Sequence, residues 1–293
     1  MIDPTTNAMW AHPDWVDETD VTWGGGSWSV TAGLEQLNNP YLRLRARSTD
    51  TANASTIVEF DLGLPCMIRN VIGLGHNLGR SARRRLSLYS DEEMTSLVAR
   101  LDWEDVYPVI FAWGSLPWEH PSWWDGRLEE RLAASYPMPI RCVFGAPVLA
   151  RYGRLELDDE DNPAGYVELG RLIIAGGIQP TRGVSVANEL QWEDELSRVT
   201  VTAGGALNVI ERPRYRSLSI AIENLPEDEV LSTLFDMAQT LGKTRSFYFM
   251  LAPKDATNFH RKSGLFRFEQ PPRHPQRRRL RRDTSAKMIE VTA

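Results

Sequence analysis

The chain carries ten tryptophans. Five of them, Trp103, Trp113, Trp118, Trp123 and Trp124, fall between residues 102 and 145 among Pro108, Pro117, Pro121, Pro137 and Pro139. An indole offers a large, flat apolar face and one N–H that needs a partner. Three uses suit such a cluster: filling a core, anchoring a protein–protein contact, or stacking on the C–H faces of pyranose rings. Prolines stiffen the segment, which suits either binding use, and a long ordered insertion in a compact domain is usually functional or interfacial. The residues alone leave all three open. Trp10, Trp15 and Trp23 recur in the irregular first 27 residues. They imply an extended arm anchored on the chain's own body or on a neighbouring subunit.

Charge offers a second chemistry. The net charge is -6, so the chain as a whole is not built to bind polyanions. Acids dominate the first twenty residues, whereas Arg273, Arg277, Arg278, Arg279, Arg281 and Arg282 cluster near the end beside Pro271, Pro272 and Pro275. No aromatic residues interleave with these arginines, so a nucleic-acid partner is not expected. The cluster reads as a solvated loop, or as a cap on acidic surface of a neighbouring copy, with the acidic N-terminal arm as partner. The interface candidates are therefore Trp10, Trp15, Trp23, Trp113, Trp118, Trp123, Trp124, Arg277, Arg278 and Arg279.

Catalytic patterns are missing. There is no GxSxG elbow and no HExxH. Leu241-Gly242-Lys243-Thr244 ends like a phosphate loop, but Met237 stands where the leading glycine belongs, and the stretch closes a helix instead of opening one. His76 sits at a strand end beside Asn77, a place for a turn or capping role rather than a metal. The run from Asp158 to Asn162 has oxygen ligands suited to calcium, but Pro163 breaks the EF-hand pattern, and a solvated hairpin is the plainer reading. Glu104 with Asp125 would be one carboxylate pair for glycoside hydrolysis, a pairing any acidic protein offers. Cys66 and Cys142 are too far apart for a zinc knuckle and read as buried, reduced thiols. The expectation is a non-enzymatic chain with no catalytic residues, no metal and no cofactor.

These residues must be positioned mostly by strands. Trp28–Thr31, Leu42–Arg47, Ile57–Asp61, Ile68–Gly75, Arg84–Tyr89, Ile140–Phe144 and Ala150–Leu157 show β propensity or period-two alternation between short turns. Gly24-Gly25-Gly26-Ser27 reads as a flexible connector, and Asp125–Ser135 as one short helix. Beyond Pro180, strands are expected over Val184–Trp192, Arg198–Thr202, Arg214–Glu223, Ser246–Leu251, Leu265–Phe268 and Lys287–Val291, with a loop at 270–283. One helix opens at Pro226-Glu227-Asp228-Glu229, places Val230, Leu231, Leu234, Phe235, Ala238 and Leu241 on one face, and ends at Gly242. The fold class is mainly β: a jelly-roll β-sandwich followed by a second β-rich domain carrying one α-helix near 227–241. The expected domains are an extended arm at 1–27, a sandwich at 28–178 with its Trp/Pro-rich insertion at 102–145, and a second domain at 184–293. No apolar run reaches the ~20 residues of a membrane span. The N-terminus lacks the basic and apolar regions of a secretory signal, which implies folding in a cytosol.

The stretches Thr56–Gly63, Val71–Leu78, Arg84–Tyr89 and Ala150–Leu157, followed by Gly165-Tyr166-Val167-Glu168-Leu169-Gly170-Arg171-Leu172, resemble the discoidin-like galactose-binding jelly roll over about residues 28–178. The whole chain further resembles minor tail or tail-tip proteins of long-tailed bacteriophages, through LGRLIIAGGIQP, QWEDE and SFYFMLAP. The resemblance implies a virion component of a tail tip or baseplate, assembled in the host cytoplasm. Its implied partners are other phage tail proteins and copies of itself in a ring of three or six. It transfers no sugar-binding or calcium residues, and the 102–145 insertion departs from the compact module. The alternative is a carbohydrate-binding adhesion module that contacts a host glycan through Trp113, Trp118, Trp123 or Trp124.

Overall fold

The computed structural model describes residues 7–129, 131, 138–194, 197–201 and 204–291. The chain forms two compact units that interleave in sequence. One comprises Ala11–Ile178 with Pro253–Lys262; the other comprises Met1–Trp10, Gln179–Ala252 and Ser263–Thr292. Both are built from antiparallel sheet.

In the first unit, β2 (Thr22–Gly24), β4 (Ile57–Leu74), β5 (Arg83–Tyr89), β6 (Leu97–Asp105) and β7 (Ile140–Asp158) run in the order β2-β4-β7-β5-β6, and β9 (Arg171–Ala175) pairs β4. The two long strands carry the sandwich. Along β4, Val58, Phe60 and Leu62 are buried while Ile57, Glu59 and Asp61 face outward, the period-two pattern of a half-buried strand. Its pairing with β7 is broken between Asp61 and Cys66 and again between Ile68 and Asn70. Such irregularities bend a strand, and β4 changes partner across them. Its first half takes β2, with Trp23 opposite Phe60; its second half takes β9, with Val71 opposite Ile174. One bent strand thus serves two edges, which is how a sandwich turns its corner. The sequence resemblance lies on this pair, since Glu59 stands opposite Arg154 and Val58 opposite Leu155. On the outward face Arg154 meets Glu59 at 2.7 Å, Arg151 grips Asp61 at 2.6 and 2.8 Å, and Arg85 grips Glu156 at 2.6 and 2.7 Å.

From Ala11 onward the N-terminal segment packs on this unit, the own-body alternative for the arm. A short helix, α1 (Trp15–Glu18), is capped by Asp14. Arg171 receives both Asp14 and Asp17 at 2.9 Å. The acids of this segment therefore pair with β9 and not with the distal arginine cluster. The glycine run is likewise no flexible connector. Gly24 belongs to β2, and a Cβ on Gly26 (φ +59°) would lie 2.5 Å from the carbonyl oxygens of Ile57 and Ser55. Gly26 is there because the backbone passes too close for any side chain. The strands expected over Trp28–Thr31 and Leu42–Arg47 shrink to a bridge from Trp28 to Ser48 and to β3 (Ala46–Arg47), which pairs β8 (Glu168–Leu169).

The 158–162 turn is not a solvated hairpin. Asp159 and Asn162 are buried. The Asp159 carboxylate accepts from the Gly79 N–H at 2.8 Å and from Asn162 Nδ2 at 2.7 Å, while Asn77 donates to the Tyr166 carbonyl and accepts from the Glu168 N–H. Polar side chains here replace the strand ladder that the turn interrupts.

In the second unit the sheet order is β1 (Met9–Ala11), β14 (Phe247–Met250), β15 (Ser263–Arg273), β17 (Arg281–Glu290), β13 (Tyr215–Pro226) and β10 (Glu189–Glu193), and β16 (Gln276–Arg278) also pairs β17. All four residues of β14 are buried, as its unbroken apolar run implies. The helix, α2, spans 227–241 with a π stretch over Val230–Phe235. Its buried stripe is Val230, Leu234, Met237, Ala238 and Leu241; Leu231 and Phe235 fall at the margin and stay exposed. Gly242 (φ +52°) ends it, its N–H on the Ala238 carbonyl at 3.0 Å. The 270–283 segment is not a loop. β15 continues to Arg273, and β16 turns into β17 at Arg279-Leu280. Arginines look loop-like by composition, but an exposed hairpin tolerates them. β11 (Arg198–Val201) and β12 (Leu207–Ile210) form a separate two-stranded ribbon.

Candidate functional site

The tryptophan loop grows from the ends of β6 and β7. Its base is pinned twice: Arg80 pairs Asp125 at 2.6 Å, and Arg127 pairs Asp105 at 2.9 Å and donates to the Arg80 carbonyl. The Gly126 carbonyl accepts from both Ile110 and Phe111, at 2.8 and 2.9 Å. Gly126 sits at φ +62°, and a Cβ there would meet the Phe111 oxygen at 2.6 Å. Inside the loop, the backbone N–H of Trp123 donates to the His120 carbonyl at 2.8 Å and the backbone N–H of Ser122 to His120 Nδ1 at 3.1 Å. Tyr107 and Leu128 are buried at its two ends. Residues 125–129, the first part of the helix expected over Asp125–Ser135, are turn and irregular structure; residues 130 and 132–135 lie outside the described residues.

This framework presents indoles to solvent. Trp113, Trp118 and Trp124 are 76%, 66% and 73% exposed, so these three do not fill a core. Trp123 is half-buried beneath them, 6.2 Å from Trp113 and 5.4 Å from Trp118; Trp118 lies 6.0 Å from Trp124. The rings are tilted or edge-to-face, the arrangement their quadrupoles favour. Against them opens a cleft of about 100 Å³, lined by Val109, Phe111, Trp123 and Trp124 among others.

Val109 also borders a larger cavity of ≈ 490 Å³. Its walls come from the start of β5 (Arg83, Arg84), the end of β6 (Trp103, Glu104, Asp105), Pro139 just before β7, Arg141 at its start, and Phe259 of α3 (Phe259–Lys262). Arg141 donates to the Pro253 carbonyl at 2.9 Å and lies 4.6 Å over Phe259, which holds this segment to the sandwich. Arg83 and Arg85 lie over Trp103, at 5.7 and 4.8 Å from the ring. Arg84 is only 4% exposed, and its Nη2 donates to Glu104 at 2.5 Å. Its Nη1 is buried without a hydrogen-bond partner among the described residues. Glu104 and Asp125 are therefore each held by an arginine, Arg84 and Arg80. Burial raises the Cys142 thiol pKa, opposed by the positive charge of Arg84. Cys66 is likewise buried and raised, and both thiols are free.

No family model and no curated protein matches this chain. Among solved structures it is similar to the CBM32 of AlyQ in complex with 4,5-unsaturated mannuronic acid, at 16% identity, with 53% of this chain and 95% of that one covered and a TM-score of 0.34. It is similar to the lectin domain of lectinolysin complexed with Lewis B antigen, at 11% identity, 56% and 96% coverage and a TM-score of 0.35. It is also similar to a Ruminococcus gnavus GH29 fucosidase in complex with fucose, at 8% identity, 56% and 27% coverage and a TM-score of 0.37. At these scores the jelly-roll description rests on the strand order itself.

The structure separates the remaining candidates. Trp10 is 1% exposed and packs 4.9 Å from Phe249 in the core of the second unit, which leaves it no face for a neighbour. Trp15 and Trp23 pack against the sandwich core, their indole N–H groups donating to the Met67 carbonyl and to Asn38 at 2.9 and 2.7 Å. Arg277 pairs Asp283 within its own hairpin at 2.9 Å; Arg278 and Arg279 are exposed at its tip. Arg282 is held by Glu227 at 2.6 and 2.8 Å. Among the described residues no cluster of three or more His, Cys, Asp or Glu is placed to hold a metal, and no helix is long and apolar enough to cross a membrane.

Arg84 and its cavity were missed from sequence, although a signal exists. Arg84 shares parity with Leu86 and Leu88, so alternation puts a charge on the buried face of β5.

Proposed function

We propose that the sandwich unit is a non-catalytic carbohydrate-binding module, the adhesion role in which a cell-surface glycan is gripped by the tryptophan loop. The observation that carries this is the adjacency of two things. Three largely exposed indoles on a pinned loop border, through Val109, a concave cavity lined by convergent arginines and carboxylates. A protein anchor needs the indoles alone. A saccharide uses both parts: flat apolar faces for its C–H bonds and fixed polar groups for its hydroxyls. Glu104 and Asp125, each held by an arginine, are placed to accept hydrogen bonds from sugar hydroxyls. The test is titration of the chain with a glycan panel, read by tryptophan fluorescence. Trp118→Ala and Trp124→Ala should each weaken the best ligand by tenfold or more, about 1.4 kcal/mol. Unchanged affinity in both variants would refute the reading.

A second reading, assembly into a phage tail tip or baseplate as a virion protein, is favoured by one observation in the other unit. In the β11–β12 ribbon Val199 stands opposite Val209 and Val201 opposite Leu207, and all four are exposed. A two-stranded ribbon is marginal alone, and an uncovered apolar face marks an interaction site. Under this reading purified chain self-associates or binds another tail protein, and Val199→Glu with Val209→Glu raises the dissociation constant at least tenfold in sedimentation velocity. A parent chain that stays monomeric and binds no tail protein would remove it.

A further inference from the structure

We propose that the Arg84 cavity selects acidic saccharides, taking the carboxylate of a hexuronic acid residue onto Arg84 in place of Glu104. This deepens the carbohydrate reading and rests on it. The argument starts from an asymmetry. Arg84 is buried, 4% exposed, whereas the Glu104 side chain that pairs with it is 59% exposed. A buried guanidinium needs its counter-ion, because a lone buried charge is costly. An exposed carboxylate loses little by returning to water. Glu104 is therefore a resident stand-in that a better-fitted carboxylate can displace. Arg84 lines the cavity, and its Nη2, which now holds Glu104, is the donor a ligand carboxylate takes over.

The rest of the cavity narrows the ligand class. Arg83, next in the chain and exposed, makes no ion pair among the described residues and adds a second positive charge at the mouth. A neutral sugar cannot displace Glu104. An inorganic anion would use the arginines but would leave the apolar wall of Val109, Met138 and Pro139 uncovered. A hexuronate uses every part: its carboxylate on Arg84, its hydroxyls on the remaining acids, its C–H face on that wall. At ≈ 490 Å³ the cavity is of the size small-ligand sites have.

The test uses the full chain, with tri-galacturonate, neutral tri-galactose and sodium sulfate as probes, read by calorimetry and thermal shift. The parent should bind tri-galacturonate at least tenfold more tightly than tri-galactose. Arg83→Gln should weaken tri-galacturonate about threefold or more and tri-galactose by a clearly smaller factor. Glu104→Gln removes the competitor, so it should melt lower without ligand and bind tri-galacturonate at least threefold more tightly than the parent. Arg83→Gln alters an exposed side chain and leaves the fold intact; Glu104→Gln uncovers a buried cation, so its fold is checked by far-ultraviolet dichroism, and Arg83→Gln carries the test if it does not fold. If both variants match the parent while Trp118→Ala abolishes binding, the cavity inference fails and the carbohydrate reading stands. Sulfate giving the same thermal shift as tri-galacturonate reduces the cavity to an anion site and overturns the inference. If the parent binds no saccharide at all, both fall.

Discussion

Acid should loosen the Arg84 cavity through His76. The ring is half-buried, edge-on to Tyr107 at 6.3 Å. Nε2 donates to the Met138 carbonyl, on the cavity wall, and Nδ1 accepts from the Leu78 N–H at 3.2 Å. One nitrogen donates and the other accepts, so only the neutral Nε2–H tautomer satisfies both. A proton on Nδ1 would face the Leu78 N–H. Burial holds the pKa down at about 4, with the positive charge of Arg45 adding to it and the Met138 bond opposing. The unfolded chain takes its proton near 6.5 and the folded chain near 4. The neutral ring's stabilisation is therefore complete above about pH 6.5 and is lost as pH falls through about 4. At ~1.4 kcal/mol per unit, that gap is worth up to about 3 kcal/mol, and about 2 kcal/mol once partial exposure is discounted. The assay is urea unfolding of the parent and of His76→Gln at pH 7.5, 5.5 and 4. Gln keeps a donor and an acceptor but does not titrate, so its stability should fall less by about 2 kcal/mol over that range. Parallel curves for the two proteins would refute the reasoning.

Two further outcomes are expected. Burial pushes the Asp14 carboxyl up to about 6, against the pull of Arg171 and with the help of Asp17. Its folded pKa lies above its unfolded one, so its contribution is present below about pH 4 and is lost as pH rises to about 6, by at most about 3 kcal/mol. Asp14→Asn should flatten the stability profile between pH 4 and 6, and an unaltered profile would count against the buried pair. Gly126→Ala should cost about 1–2 kcal/mol from its left-handed backbone and disorder the loop; near-ultraviolet dichroism, dominated by coupled indoles, should collapse while the far-ultraviolet spectrum holds.

What the sequence made legible was what period-two alternation encodes. Val58, Phe60 and Leu62 against Leu155 and Leu157 is a local pattern on each strand, and the core follows from it. The α2 stripe was readable except at its margin, where Leu231 and Phe235 are apolar without being covered. What stayed hidden depended on pairing across long separations. The partner of Asp14 is Arg171, and the partner of Asp159 is Gly79; no composition rule names either. Arginine density at 270–283 suggested a loop because charge correlates with exposure, and both an exposed hairpin and a loop satisfy that correlation. The exposure of Trp113, Trp118 and Trp124 follows from a loop anchored at Gly126, Asp105 and Asp125, not from the tryptophans themselves.

The arginines of the sandwich unit separate by the burial of their partners, and that separation sets the site apart from the scaffold. Arg85 with Glu156, Arg151 with Asp61 and Arg154 with Glu59 pair outward-facing residues of adjacent strands, with both members partly covered. Displacing either member would uncover the other, so these pairs hold register. Arg171 with Asp14 joins a buried cation to a mostly covered acid and locks the N-terminal segment to β9. Arg84 with Glu104 alone among these joins a nearly inaccessible cation to a mostly solvated acid at the edge of a cavity. Removing the acid would leave the buried cation uncompensated, so this position requires a carboxylate, and an exposed one can be exchanged for another. A ligand carboxylate can make that exchange, and the tryptophan loop beside it supplies the apolar face that an acidic sugar, unlike a simple anion, would cover.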